Sequence, residues 1–243
     1  MEKLFEEFSH KTLKEWNDKI ISDLKDKDYK NLIWESPENI KVDPIYNIES
    51  TPNYKGDCSY SHINWEIEQS LNHPTNKEIL ACLNGGASAL LLKDVPAQDL
   101  EAILENVLIQ YIQTSLQSTS IESSLDAFIT LIEKRNLDKN SIKGSLNYDP
   151  LMESLKSGTF ESNLWGKFRS IQEKINSLSA FNSINIQGVE YHNAGASASQ
   201  ELAFTLAQLS EYLSNNERLQ ANKVQVSLGI STNYFFEIAK FRA

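Results

Sequence analysis

The chain has 243 residues and a mass of 27.6 kDa, enough to bury a substantial core as one large domain or two small ones. Asp and Glu number 33 against 23 Lys and Arg, and the resulting net charge of −10 argues against a general nucleic-acid binder, which needs a concentrated basic surface. Two cysteines without CxxC spacing (Cys58, Cys82) and the scattered His10, His62 and His73 argue against a disulfide scaffold and a metal site.

The opening MEKLFEEF is acidic and amphipathic, unlike a secretory signal, and no apolar run approaches the roughly 20 residues that cross a bilayer. The expectation is a soluble, cytoplasmic protein. Residues 1–50 read as an arm. Leu13, Trp16, Ile20 and Leu24 form one apolar stripe of a helix. Leu32 and Trp34, the turn former Ser36-Pro37-Glu38-Asn39, then Ile40 and Val42 predict a short hairpin. Such a stripe needs cover, and either the chain's own domain or a partner chain can supply it. Residues 51–64, TPNYKGDCSYSHIN, read as a polar loop.

From Trp65 strand-like runs fall near 65–70, 87–93, 107–113, 142–147, 183–190 and 224–230. Helical patterns lie between them near 75–84, 97–106, 121–136, 161–178 and 197–214. Ser197 and Gln200 form a capping-box pattern for the last of these, whose predicted buried face is Leu202, Leu206, Leu209 and Leu213. Strand and helix in alternation imply parallel strands joined by right-handed crossovers. Six strands and the opening of a sixth helix near Phe235 fit two architectures. One is a section of a (β/α) barrel with two open edges; the other is a doubly wound open sheet.

In α/β folds reactive groups collect at the C-terminal ends of the strands. The candidates there are Asp94, Gln117, Asn147 with Asp149, Tyr191 with His192, and Ser231 with Asn233. His192 is the imidazole among them, the group with a near-neutral ordinary pKa; it can act as a general acid or simply hydrogen-bond within its loop. Asn193 and Asn233 are the substrate-binding candidates. Asp94 and Asp149 are either paired acids or turn and cap residues, and Gln113 to Ser120 (QTSLQSTS) reads as a strand-to-helix loop.

Two strings carry a resemblance. YHNAGASASQELAFTLAQLSEYL and STNYFFEIAKFRA resemble the barrel domain of the methylmalonyl-CoA mutases, specifically the small (beta) subunit of the two-chain bacterial enzyme. The FFEIAKFRA string is shared by both subunit types, so it marks the superfamily. The resemblance implies an α/β fold: a TIM-type (β/α) barrel over 65–243, incomplete at the C-terminus and truncated after about six strands, preceded by the N-terminal helical and hairpin arm. It implies that the arm, with its segment LIWESPENIKVDPIYN, wraps a large subunit in a heterodimer. It further implies an isomerase of propionate metabolism that interconverts succinyl-CoA and methylmalonyl-CoA with adenosylcobalamin.

The same resemblance places the cofactor on the partner. The family's cobalamin-binding Asp-x-His-x-x-Gly is absent here, so no cofactor and no metal are expected on this chain. The tyrosine motif Pro-Tyr-Ala-Thr-Met-Tyr of catalytic chains is also absent; only Tyr54 and Tyr60 stand in its region. Catalytic chains read Gly-Tyr-His, three residues, then Ala-Gly-Ala, whereas His192 is followed by Asn193 and at once by Ala194-Gly195-Ala196. Tyr191 and His192 are therefore expected as vestiges of a site, in a chain that is structural. The alternative is an independent barrel enzyme acting on an acyl-CoA or small carbonyl compound with His192 as acid or base.

Overall fold

The computed structural model describes residues 9, 11–25, 27–47, 49–50 and 65–243. The predicted loop 51–64, with Tyr54, Cys58, Tyr60 and His62, lies outside the described residues, as does His10. The chain divides into two compact units, Met1–Ile63 and Asn64–Ala243.

In the first unit, Thr12 and Glu15 cap each other to start α1 (Leu13–Leu24). The predicted hairpin forms: β1 (Trp34–Glu35) pairs antiparallel with β2 (Lys41–Val42), Trp34 opposite Val42. Its turn is organised by the buried Ser36 hydroxyl, which accepts from the Glu38 and Ile40 amides at 3.2 and 3.3 Å. No residue of α1 is buried, and Trp16 and Trp34 stay 46% and 45% exposed.

The second unit alternates strand and helix in sequence order. It comprises β3 (Glu68–Asn72), α2 (Asn76–Asn84), β4 (Ala89–Lys93), α3 (Leu100–Ile103), β5 (Gln113–Gln117), α4 (Ile121–Lys134) and β6 (Gly144–Ser145). There follow α5 (Pro150–Ser157), α6 (Leu164–Ile175), β7 (Phe181–Asn182), β8 (Ile184–Gln187), α7 (Gly188–Asn193), α8 (Ala198–Asn215), β9 (Val224–Ser227) and α9 (Tyr234–Arg242). All pairings here are parallel: β3 with β4, β4 with β5, β6 with β7 and β8 with β9. Parallel bridges Gln113–Lys143 and Leu116–Leu146 join β5 to β6, and β7 and β8 are one run broken at Ser183. Neighbouring strands therefore follow chain order with no reversal.

The sheet has two chemically different faces. Leu71, Leu90, Leu92, Leu116, Leu146, Ile184 and Ile186 face the helices, where Ile79, Leu125, Phe128, Phe168 and Tyr212 complete a core. Full burial of each such side chain stabilises by about 1.5–3 kcal/mol. Gly144, at φ +151°, is required between β5 and β7: a Cβ would stand 2.0 Å from the Thr114 carbonyl oxygen.

Three expectations are corrected. The strand predicted at 107–113 lies at 113–117, because QTSLQ alternates a polar face with a buried one and so reads as loop. The strand predicted to run to residue 190 ends at Gln187, and Tyr191 and His192 sit inside helix α7 instead of at a strand tip. The buried face of α8 is Glu201, Thr205, Gln208 and Tyr212, one residue (about 100° of helix) from the predicted leucine face; Leu206 is 60% exposed.

Candidate functional site at the polar face of the sheet

The face of the sheet turned away from the helices is polar. Ser115 and Gln117, Ser145 and Asn147, Asn185 and Gln187, and Gln225 and Ser227 line a cavity of about 200 Å³ with Lys93, Glu68, Val189 and Glu190. Alternation along each strand produces this: one residue goes to the helix-packed core and the next to the cavity. Strands of parallel sheets usually read as near-continuous apolar runs. A polar lining is therefore a departure that marks a site.

The lining is knitted together across the strands. Asn147 Nδ2 donates to Gln117 Oε1 at 2.8 Å, Asn185 Nδ2 to Asn147 Oδ1, and Ser227 Oγ to Asn185 Oδ1 at 2.9 Å. One step deeper, Ser145 Oγ donates to Ser115 Oγ at 3.0 Å. Of the predicted candidates, Gln117 and Asn147 are thus brought together. Among the described residues no cluster of three or more His, Cys, Asp or Glu could hold a metal ion.

The other candidates lie elsewhere. Asp149 is fully buried and caps α5, accepting from the Met152 amide at 3.1 Å, the Gln187 amide at 2.8 Å, the Tyr212 hydroxyl at 2.7 Å and Gln208 Nε2. Burial pushes its carboxyl up, and those four donated bonds offset only part of that rise. Asp94 is exposed, in the left-handed region at φ 50°, its amide on the Gln117 carbonyl at 2.8 Å. Asn193 is an exposed end of α7, and Asn233 caps α9 by accepting from the Phe236 amide at 3.3 Å.

Tyr191 and His192 turn into helix packing. The Tyr191 hydroxyl donates to Gln208 Oε1 at 2.9 Å and its ring lies 5.3 Å from Phe204. Burial, then the charge of Asp149, pushes that phenol up. The His192 ring lies over Gly229, where a Cβ would come within 2.3 Å of it, and its Nδ1 stands 3.6 Å from Glu201 Oε2. The cavity is lined by the two preceding residues, Val189 and Glu190, and Glu190 pairs with Lys156 at 2.9 Å.

Sequence reasoning missed Glu201 and Lys240, although both stand in the quoted strings. Glu201 is fully buried and takes the Gly229 amide at 2.6 Å and Lys240 Nζ at 2.9 Å. Lys240 also reaches the Gly229 carbonyl and Glu237 Oε2, both at 2.6 Å. The signal available was a polar residue at 201, 205 and 208 on one helical face.

The family model for methylmalonyl-CoA mutase matches residues 95–243, more than half of the chain. The chain belongs to the methylmalonyl-CoA mutase family. It is 30% identical to the methylmalonyl-CoA mutase small subunit of Porphyromonas gingivalis over all of this chain and 44% of that one. It is 25% identical to the human mitochondrial methylmalonyl-CoA mutase over 94% of this chain and 38% of that one. The 2-hydroxyisobutanoyl-CoA mutase large subunit of Aquincola tertiaricarbonis is 30% identical over 60% of this chain and 28% of its own. The chain thus spans less than half the length of the curated relatives it matches. Among the described residues no helix is long and apolar enough to cross a membrane.

Proposed function

We propose that this chain is the arm and a section of the (β/α) barrel of a methylmalonyl-CoA mutase small subunit, and that it scaffolds a large catalytic chain without turning over substrate itself. The complex would interconvert succinyl-CoA and methylmalonyl-CoA. Neighbouring parallel strands that follow chain order support a barrel over a doubly wound sheet, whose order reverses at a switch point. The exposed Trp16 and Trp34 support an arm that closes on a partner.

One observation carries the non-catalytic reading. Counted from Gly188, the Tyr-His of the family motif falls on Val189 and Glu190, with three residues left before Ala194-Gly195-Ala196. These are the side chains at the cavity. A valine side chain and a carboxylate held by Lys156 stand at the two positions where the motif has a phenol and an imidazole, so the motif's own proton donor for a thioester oxyanion is absent from them. The amide ladder across Gln117, Asn147, Asn185 and Ser227 moreover spends its polar groups on one another.

Cobalamin does not fit on this chain's own histidine. Glu190-Tyr191-His192-Asn193-Ala194-Gly195 has the spacing of Asp-x-His-x-x-Gly with glutamate for aspartate. Yet Glu190 is turned to Lys156, and the His192 ring is packed on Gly229 with Nδ1 facing Glu201. The cofactor therefore belongs to the partner in this proposal.

Mutase assays with adenosylcobalamin test it, using this chain alone and mixed with a catalytic large subunit. Turnover by the mixture only, unaffected by His192→Ala, is the expected result. Turnover by this chain alone that His192→Ala abolishes would replace the proposal with an independent acyl-CoA or carbonyl enzyme.

A further inference from the structure

The hydrogen bonds across the polar cavity all run in one direction. Ser227 donates to Asn185, Asn185 to Asn147 and Asn147 to Gln117, so each link points from β9 toward β5. The deeper link, from Ser145 to Ser115, points the same way. A ladder of this polarity ends in donors. Gln117 accepts through Oε1, which leaves its Nε2 hydrogens without an acceptor among the described residues. Ser115 is 3% exposed and accepts through Oγ, and its own hydroxyl hydrogen has no acceptor among them either. Hydrogen bonds in a chain polarise one another, which strengthens the donor at the end.

Lys93 joins these two donors. It stands opposite Gln117 in the parallel register of β4 and β5 and lines the same cavity. Its ammonium has no ion-pair or hydrogen-bond partner among the described residues. The carboxylates of the cavity do not supply one. Glu190 is held by Lys156 at 2.9 Å. Glu68 is in register with Ala89, four residues back along the strands from Lys93, or about 13 Å at 3.3 Å per residue. The Gln187 side-chain amide, on a residue 8% exposed, also lines the cavity without a partner among the described residues.

Three donors, one of them charged, therefore meet on the β4–β5 side of a cavity whose other polar groups are neutral or already paired. One unpaired cation matches one negative charge, and a second charge would be desolvated among neutral amides. A volume of about 200 Å³ equals roughly six waters at about 30 Å³ each, or a carboxylate of about two to four carbons. We propose that this side of the cavity binds a small monocarboxylate, its oxygens taking the Lys93 ammonium and the Gln117 and Ser115 hydrogens. Binding requires neither a large chain nor cobalamin, so its failure would leave the scaffold reading intact.

The test is an NMR titration of the full chain that follows the Gln117 side-chain amide and the Lys93 backbone amide. Acetate, glycolate and butyrate are compared with acetamide and chloride at on the order of 50 mM, where millimolar affinities saturate. Saturable shifts with at least one carboxylate, and with neither acetamide nor chloride, are expected. Lys93→Met should weaken that binding at least about tenfold, and Lys93→Arg should keep it within about threefold. Gln117→Glu keeps an acceptor for Asn147 but replaces the free donor with a negative charge, and should abolish binding. No saturable shift with any carboxylate, equal shifts with acetamide or chloride, or undiminished binding by Lys93→Met would overturn the proposal.

Discussion

Asp149 shows how one buried carboxylate organises its surroundings. Its two oxygens join the end of β6, the end of β8 and the polar face of α8 through donors from Met152, Gln187, Gln208 and Tyr212. Asp149→Asn keeps the shape but turns an amide toward those donors. A loss of about 2–3 kcal/mol is expected, read as a lower urea midpoint at unchanged m. Glu237 provides a pH signature. Burial opposes its charge, but hydrogen bonds from Lys240 and Ser231 outweigh it and hold the carboxyl down at about 2, against an ordinary 4.5. A folded-state pKa below the unfolded one means stability that is full above pH 4.5 and lost as pH falls toward 2. Urea midpoints measured across that window should decline in the native protein, and Glu237→Gln should flatten that part of the decline.

Helices α8 and α9 meet through charge, not through leucines. Lys240 and Glu201 have side chains 1% and 0% exposed, and together they hold Gly229 of the β9–α9 connection by its amide and carbonyl. Removing one partner of such a pair strands the other charge, so Lys240→Met should cost about 3–5 kcal/mol. The double variant Glu201→Gln with Lys240→Met should recover most of that in a thermal melt. The capping box of α8 was legible because its chemistry is local: a hydroxyl and an amide three residues apart. The faces of α8 and β5 were not. A polar stripe at 201, 205 and 208 and the polar face of QTSLQ look solvent-exposed until distant donors and acceptors surround them.

At the scale of the molecule, the arm and the strand-and-helix unit pose separate questions. The apolar side of the arm is exposed at Trp16 and Trp34. A Trp16→Ser, Trp34→Ser double variant should keep its circular dichroism but lose at least about tenfold in affinity for a large mutase subunit, measured by co-purification and calorimetry. Equal affinity would place the arm outside the interface.

The sequence by itself determined the family, the arm's helix and hairpin, and the alternation of parallel strands with helices. These follow from local spacing, capping chemistry and hydrophobic period. Which side chains face the cavity was decided only in three dimensions. Ending β8 at Gln187 and starting α7 at once sends Val189 and Glu190 inward and Tyr191 and His192 into packing. A strand reverses its side-chain direction at every residue and a helix turns it by about 100°, so one shifted boundary exchanges the residues at the site for their neighbours.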